Sequence, residues 1–452
     1  MDKNLPESLP DQAEALDFTI ETLGPAQHTS PLQEHMEGLS SRMGFVEDTE
    51  RIVHDPRIES IKAWIARETD PPSMEVAGPR RKIYFNPSNS RAAIMTAGGI
   101  CPGLNDVIRA LFMELHYIYR VKEVLGIRYG YSGLAPRVGQ PPVVLTPAMV
   151  ANIHKDGGTI LGSSRGPQEP KEMVDFLERE RINVLFTIGG DGTQRGALDL
   201  AGEIERRCLK IAVVGVPKTI DNDISFVARS FGFQTAVSIA KDVLSAAHEE
   251  ARGAFNGVAV VKLMGRHSGF IAADAAVANG DANFVLVPEI PFDLDGDKGL
   301  LRALECRLED RRHALIVVAE GAGQHLFGNE GKQFDASGNI KFHDIGILLR
   351  DRIAERFSSG WHAATVKYLD PSYIIRSAPA SADDSILCSR LGQNAVHAAL
   401  SGRTKMVVGL WNNIFTHVPM SRVISRRKRL DPSSPAWLSV LESTGQPASM
   451  KN

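Results

Sequence analysis

The chain has 452 residues, 43% of them hydrophobic and 23% charged, with a formal net charge of −3. That length predicts two or three domains with large buried cores and excludes disorder as the main state. The near-neutral balance leaves no electrostatic footprint for general nucleic-acid binding. Four dispersed cysteines (Cys101, Cys208, Cys306, Cys388) exclude a disulfide scaffold and fit a reducing compartment.

The opening stretch MDKNLPESLPDQAEALDFTI is acidic and lacks the apolar centre of a secretory signal. No apolar run is long enough to span a bilayer, since Lys262 and Asp274 interrupt the best candidates. A cytoplasmic protein is expected. The first ninety or so residues carry scattered Pro, Asp and Glu, with one short helix expected around IESIKAWIARE. They read as an extension packed on the main body or on a partner subunit, the alternative being a partly mobile arm.

From Arg91 short apolar runs recur, each ending in glycine or a polar turn: RAAIMTAGG, VKEVLGIRYG, NVLFTIGGDG, KIAVVGVPKT, GVAVVKLMGR, NFVLVPEIP, HALIVVAEGAG and KMVVGLWN. Most are continuous rather than alternating, the pattern of strands buried on both faces. Helical periodicity lies between them, most clearly in FGFQTAVSIAKDVLSAAHEEA. There Phe233, Val237, Ala240, Val243, Leu244 and Ala247 share one face. This alternation predicts an α/β fold with mostly parallel sheets, helices on both sides, and ligands beyond the carboxyl ends of the strands.

Distinctive polar motifs sit at those ends. In MTAGGICPGLNDVIRALF, Gly98, Gly99 and Gly103 permit close backbone approach and Asn105 can open a helix; a phosphate loop and a packing turn are both open readings. Cys101 has no basic neighbour in sequence and reads as a packing residue. TILGSSRG offers Arg165. In LFTIGGDGTQRGA a strand ends at Ile188, then Gly189, Gly190 and Gly192 turn the chain into a helix from about Thr193, where free N–H groups suit phosphate. Asp191 would repel phosphate unless a cation lay between them, which Mg²⁺ would supply. VGVPKTIDNDI gathers Lys218, Thr219, Asp221 and Asp223 at a strand end: a cation for phosphate charge, a hydroxyl donor, a candidate general base, and an acid to hold metal or orient that base. KLMGRHSGF places Arg266 after a strand, its fork suited to a phosphoryl group in flight, while His267 reads as structural. HALIVVAEGAG offers Glu320. Near the end, SRVISRRKRLDPSSP bunches Arg426, Arg427, Lys428 and Arg429; a solvated face is the favoured reading, an anion site or subunit contact the alternative.

Together these blocks resemble the 6-phosphofructokinase family over roughly residues 91–412. TAGGICPGLN, GGTILGSSRG, GGDGT, PKTIDND and MGRHSG stand in the family's order and approximate spacing. With KYLDPSYIIRS the chain is most similar to the family's long group, which includes trypanosomatid and plant ATP-dependent enzymes. The resemblance implies two Rossmann-like domains with the site between them. Residues 91–230, completed by about 378–415, would bind the phosphoryl donor, and 231–377 fructose 6-phosphate, flanked by an extension (1–90) and a tail (416–452). It further implies Asp221 as the base toward the C1 hydroxyl and Asp191 as the Mg²⁺ site. Gly99, Tyr131, Arg165, Gly190, Asp191, Gly192 and Thr193 would line the donor site. Thr219, Asp221, Met264, Gly265, Arg266, Glu320, Tyr373 and Arg376 would hold the sugar phosphate, with Arg266 also stabilising the transition state and Lys218 and Thr219 joining Asp221 and Arg266 as the catalytic residues. The family's cross-subunit arginines have no clear match, and Lys367 stands as a substitute. A homo-oligomer, tetramer or dimer, is implied.

The family divides between ATP and pyrophosphate as donor. Pyrophosphate users generally carry Asp where this chain has Gly192, which would crowd and repel a nucleotide's α-phosphate. Lys218 points toward pyrophosphate. Steric exclusion weighs more than an added cation, so ATP is the expected donor, with pyrophosphate as the alternative. A non-catalytic sugar-phosphate sensor is the remaining reading.

Overall fold

The computed structural model describes residues 16–35, 44–135, 140–328, 341–360 and 363–452. Two sheets organise them. In the larger, the strands Met406–Trp411, Ala212–Pro217, Val184–Gly189, Arg91–Thr96 and Glu123–Ile127 lie side by side in that order, all parallel. Antiparallel edges finish it: Ile414–Pro419, Ser73–Val76 and Arg51–Val53 on one side, Val143–Val144 on the other. The smaller sheet is parallel throughout, in the order Phe284–Leu286, His313–Ala319, Gly257–Leu263, Thr365–Leu369.

The continuous apolar runs have the burial they predict. Along Arg91–Thr96, Ala92 and Ile94 enter one core while Ala93 and Met95 enter the core on the opposite face. Along Ala212–Pro217, Val214 and Val216 face one way and Val213 the other. The smaller sheet repeats the arrangement, with Ala259 and Val261 on one face and Val258 and Val260 on the other. Strands buried on both faces leave no position for alternating polar residues, so the sequence reads as unbroken hydrophobic stretches.

Two long helices join the sheets. Phe233–Arg252 follows the PKTIDND loop and packs on the small sheet through Phe233, Val237, Ala240, Leu244 and Ala247. Val243, expected on the same face, is only partly buried against that core. Ala382–Leu400 carries the chain back and covers one face of the large sheet through Leu387, Leu391, Ala395 and Val396. The two helices are tied where they meet: the Thr235 backbone N–H and hydroxyl both donate to buried Asp384, at 2.8 and 2.6 Å.

The segment before Arg91 contributes two strands to the large sheet and a buried ionic knot. Glu75 accepts from Arg80, Arg403 and His417, and Asp48 accepts from the same two arginines. The helix expected near residue 60 forms as Ile58–Ile65 and buries none of its residues. No helix among the described residues is long and apolar enough to cross a membrane.

Candidate active site

A cleft of about 720 Å³ opens where the carboxyl ends of the two sheets face each other. Its floor comes from the large sheet. The strand Arg91–Thr96 runs into Gly98–Gly99, and at Gly103 the backbone takes φ 96° to enter the helix Leu104–Met113. A Cβ there would stand 2.7 Å from Cys388 Sγ, so both conformation and space call for glycine. The neighbouring strand Val184–Gly189 passes through Gly190 into the helix Asp191–Arg206. Asp191 therefore begins a sixteen-residue helix, beside backbone N–H groups suited to an anion. Tyr131 lies under this helix and donates its hydroxyl to the Thr193 carbonyl at 2.6 Å.

Gly192 differs from most glycines around it. A Cβ built there meets nothing within 4 Å, and its φ is not left-handed. The fold does not require this glycine, so what its small size preserves is room in the cleft.

The PKTIDND loop follows the strand Ala212–Pro217. Lys218 is 7% exposed and donates from Nζ to the Gly99 carbonyl at 2.7 Å, linking two of the motifs. Burial, then the nearby Arg376 and Arg165, push its ammonium below the usual lysine range. Thr219 donates to Asp223 at 2.8 Å, which fixes that carboxylate. Asn222 adopts φ 55° and accepts from the Ser230 backbone N–H, which sets the curl of the loop. Asp221 is thereby aimed into the cleft. Its Oδ2 lies 3.5 Å from the Arg266 backbone N–H, and its buried Oδ1 has no hydrogen-bond partner. Burial first, then the charges of Asp223 and Glu320, raise its pKa well above the carboxylate range. A buried carboxylate oxygen with no donor is a free acceptor for a substrate hydroxyl.

The small sheet supplies the facing wall. After the strand Gly257–Leu263 the chain turns at Gly265 (φ 130°), where a Cβ would come within 2.7 Å of the Ser268 carbonyl. Gly265 shapes the turn that presents Met264 and Arg266. The Arg266 guanidinium stacks 4.5 Å over the Phe342 ring. Glu320 follows the strand His313–Ala319, its pKa raised by burial. Arg376 reaches back across the cleft to Gly99, where a Cβ would meet its Nη2 at 2.6 Å, and its Nε donates to the Ile100 carbonyl at 3.4 Å.

The cleft thus gathers Gly99, Tyr131, Arg165, Gly190, Asp191, Gly192, Thr193, Lys218, Thr219, Asp221, Met264, Arg266, Glu320 and Arg376. Tyr373 is not among them: it is 82% exposed, one turn away on the short helix Ser372–Arg376. Lys367 lies outside as well, paired with Glu250 at 3.4 Å. Cys101 is buried, with its thiol pushed up to about 12 by burial, which suits packing rather than nucleophilic chemistry.

The basic run near residue 427 is not simply a solvated face. Arg427 lines the cleft, and Arg426 stacks 4.7 Å over the Phe226 ring. Lys428 donates from Nζ to the Val227 and Ala228 carbonyls at 2.8 and 2.9 Å. A bunch of four cations gives no periodic signal of which head points inward, so sequence alone does not separate Arg427 from its neighbours. His267 feels the same charge. Burial, then Arg427, Arg266 and Arg429, push its pKa down to about 4, so it lines the cleft as a neutral imidazole.

Among the described residues no three His, Cys, Asp or Glu side chains converge as a metal cage. Asp191 is the carboxylate at the helix start and is contacted only loosely, by Arg427 at 3.5 Å and Arg195 at 3.8 Å. One carboxylate ready to exchange its cationic partners fits Mg²⁺ that arrives carried on phosphate oxygens and keeps several waters.

Residues 91–399 match the family model for phosphofructokinase. The chain belongs to the phosphofructokinase family. Among curated members, an ATP-dependent 6-phosphofructokinase of Borreliella burgdorferi is 49% identical over 97% of this chain and 99% of its own length. One from Trypanosoma cruzi is 46% identical over 95% of this chain and 87% of its own. Solved family structures share the fold at lower identity. A pyrophosphate-dependent phosphofructokinase from Marinobacter aquaeolei aligns with TM-score 0.65 at 22% identity, covering 78% of this chain and 91% of that one. Pichia pastoris phosphofructokinase in the T-state aligns with TM-score 0.62 at 22% identity, over 78% of this chain and 37% of that one. The α/β architecture with mostly parallel sheets expected from the apolar runs is therefore the family's own.

Proposed function

We propose that this chain is an ATP-dependent 6-phosphofructokinase, transferring the γ-phosphoryl group of ATP to the C1 hydroxyl of fructose 6-phosphate in glycolysis. One observation carries the reading: Asp221, a buried carboxylate with an unfilled acceptor oxygen, shares a cleft with a helix start whose free N–H groups suit phosphate and with Arg266. The curated relatives at 46–49% identity support the same activity.

In this reading Asp221 accepts the proton of the C1 hydroxyl as the oxygen attacks phosphorus. Thr219 positions Asp223, whose negative charge keeps Asp221 basic. Arg266, from the opposite wall, neutralises charge on the phosphoryl group in flight. Lys218 locks the Gly98–Gly99 loop and adds positive potential beneath the phosphates. The N–H groups at the Asp191 helix start and the Gly99 loop cradle the donor. Mg²⁺, held by Asp191, would neutralise phosphate charge when bound. Met264, Arg266, Glu320 and Arg376 form the sugar-phosphate side, and positioning rather than covalent chemistry does most of the catalysis. The open space at Gly192 supports a nucleotide donor, since a side chain there would project into the cleft. A homo-oligomer in the cytoplasm completes the proposal.

The test is a coupled assay for fructose 1,6-bisphosphate with Mg²⁺, fructose 6-phosphate and either ATP or pyrophosphate. Product with ATP and none with pyrophosphate is expected. Product with pyrophosphate alone would overturn the donor assignment. No product with either donor would favour a non-catalytic sugar-phosphate sensor.

A further inference from the structure

The residues matched by the family model end at 399, yet the cleft includes a cation from far beyond that point. Arg427 belongs to the segment that crosses the cleft between the two sheets. Its backbone is pinned there. Ile224 and Arg427 form an antiparallel bridge, Ser225 donates to the Arg426 carbonyl at 2.7 Å, and the Lys428 N–H donates to the Asp223 carbonyl at 2.9 Å. The PKTIDND loop and this segment are thus held in register, so the position of Arg427 is fixed relative to Asp221.

Its side chain is held far less firmly. The guanidinium stands 3.5 Å from Asp191 Oδ2, beyond ordinary hydrogen-bond length, and is about one-third exposed to the cleft. A contact that long at a solvated site contributes little. It nevertheless places a planar, permanently charged fork beside the helix start where donor phosphates would lie. An Asp191 that takes up a cation no longer needs Arg427 as its counter-charge, which leaves the fork available to an anion at that helix start. We propose that Arg427 is a phosphate ligand of the phosphoryl-donor site, delivered by the C-terminal segment. Its contact with Asp191 is one that a cation bound by that carboxylate would replace.

This rests on the donor-binding reading above, and the experiment separates the two. Isothermal titration would measure Mg²⁺·AMP-PNP, Mg²⁺·pyrophosphate and fructose 6-phosphate binding to the full-length protein, Arg427→Ala and Arg427→Lys, with thermal melts verifying that each variant folds. Removing a charged hydrogen-bonding partner of a phosphate is expected to weaken Mg²⁺·AMP-PNP binding by about 10- to 100-fold in Arg427→Ala. Arg427→Lys should recover part of that loss, and fructose 6-phosphate affinity should hold within about twofold. Unchanged Mg²⁺·AMP-PNP affinity in a folded Arg427→Ala protein would overturn the proposal. So would an equal loss for both ligands, which marks general damage to the cleft. If the unaltered protein binds Mg²⁺·pyrophosphate and no nucleotide, the donor reading fails. Arg427 is then judged by the same comparison made with pyrophosphate.

Discussion

A carboxylate that folding drives toward its neutral form costs stability whenever it is ionised. Asp221 is such a group, its pKa raised by burial and by Asp223 and Glu320. Its favourable contribution is complete below the ordinary carboxylate pKa and is lost as pH rises through the raised value. Asp221→Asn should therefore cut turnover by about 100- to 10,000-fold while melting higher than the original protein, by a margin that grows with pH across that window. Turnover within about tenfold of normal would remove Asp221 from the role of base. The acid limb of kcat/KM should likewise lie above the ordinary carboxylate range. Gly192→Asp makes the complementary case, because the protein leaves open space there. The variant should fold with an unchanged melting temperature, yet bind ATP at least about tenfold more weakly, the effect of roughly 1.4 kcal/mol of charge repulsion. Unchanged ATP kinetics would remove the steric argument for nucleotide. These residues were legible in the sequence because each follows directly on a strand end. Tyr373 and Arg376 share one short segment, and sequence spacing does not decide which of the two faces the cleft. Arg427 was illegible for a different reason: its place depends on a backbone bridge to Ile224, far away in the chain.

Among the elements, the eight apolar runs all became strands, because burial on both faces leaves a signature that composition alone carries. The antiparallel edges at Arg51–Val53, Ser73–Val76, Val143–Val144 and Ile414–Pro419 had no such signature. Arg51–Val53, Ser73–Val76 and Val143–Val144 are short and lie at or near the margins of the large sheet, whereas Ile414–Pro419 runs six residues and pairs as a tight hairpin with Met406–Trp411. Helix Ala382–Leu400 touches both halves of the structure, and its first turn is where they meet. Asp384→Ala leaves the Thr235 hydroxyl and N–H without their buried acceptor. A loss of about 1–3 kcal/mol is expected, read as a lower melting temperature. A melting curve that overlays the original would show the junction to be held elsewhere.

At the scale of the whole molecule, the segment before Arg91 is fastened by charge as well as by strands. Burial alone would raise the Glu75 pKa, but His417 and Arg403 hold it down to about 2. A depressed carboxylate contributes stability above its unfolded pKa and loses it as pH falls toward the folded value. Between about pH 4.5 and 2 the knot should loosen, and limited acid proteolysis should cut first between residues 44 and 90. Glu75→Gln takes the buried carboxylate from Arg80, Arg403 and His417, leaves the two arginines Asp48 as counter-charge, and should cost about 1–3 kcal/mol. A variant as stable as the original would show that the strands alone fasten this segment.

The strand Met406–Trp411 lies beside Ala212–Pro217, with the whole small sheet between them in the chain. Synthesis is vectorial, so the ribosome has released the small sheet before it makes the strand and helix that close the large one. Until then Val214 and Val216 lack their covering helix, and Ala212–Pro217 presents one unpaired margin. The nascent protein therefore passes through a stage with one open hydrophobic sheet and a smaller half whose cores still await Leu430, Trp437, Val440 and Met450. That stage, more than the native state, is where chaperones would be needed.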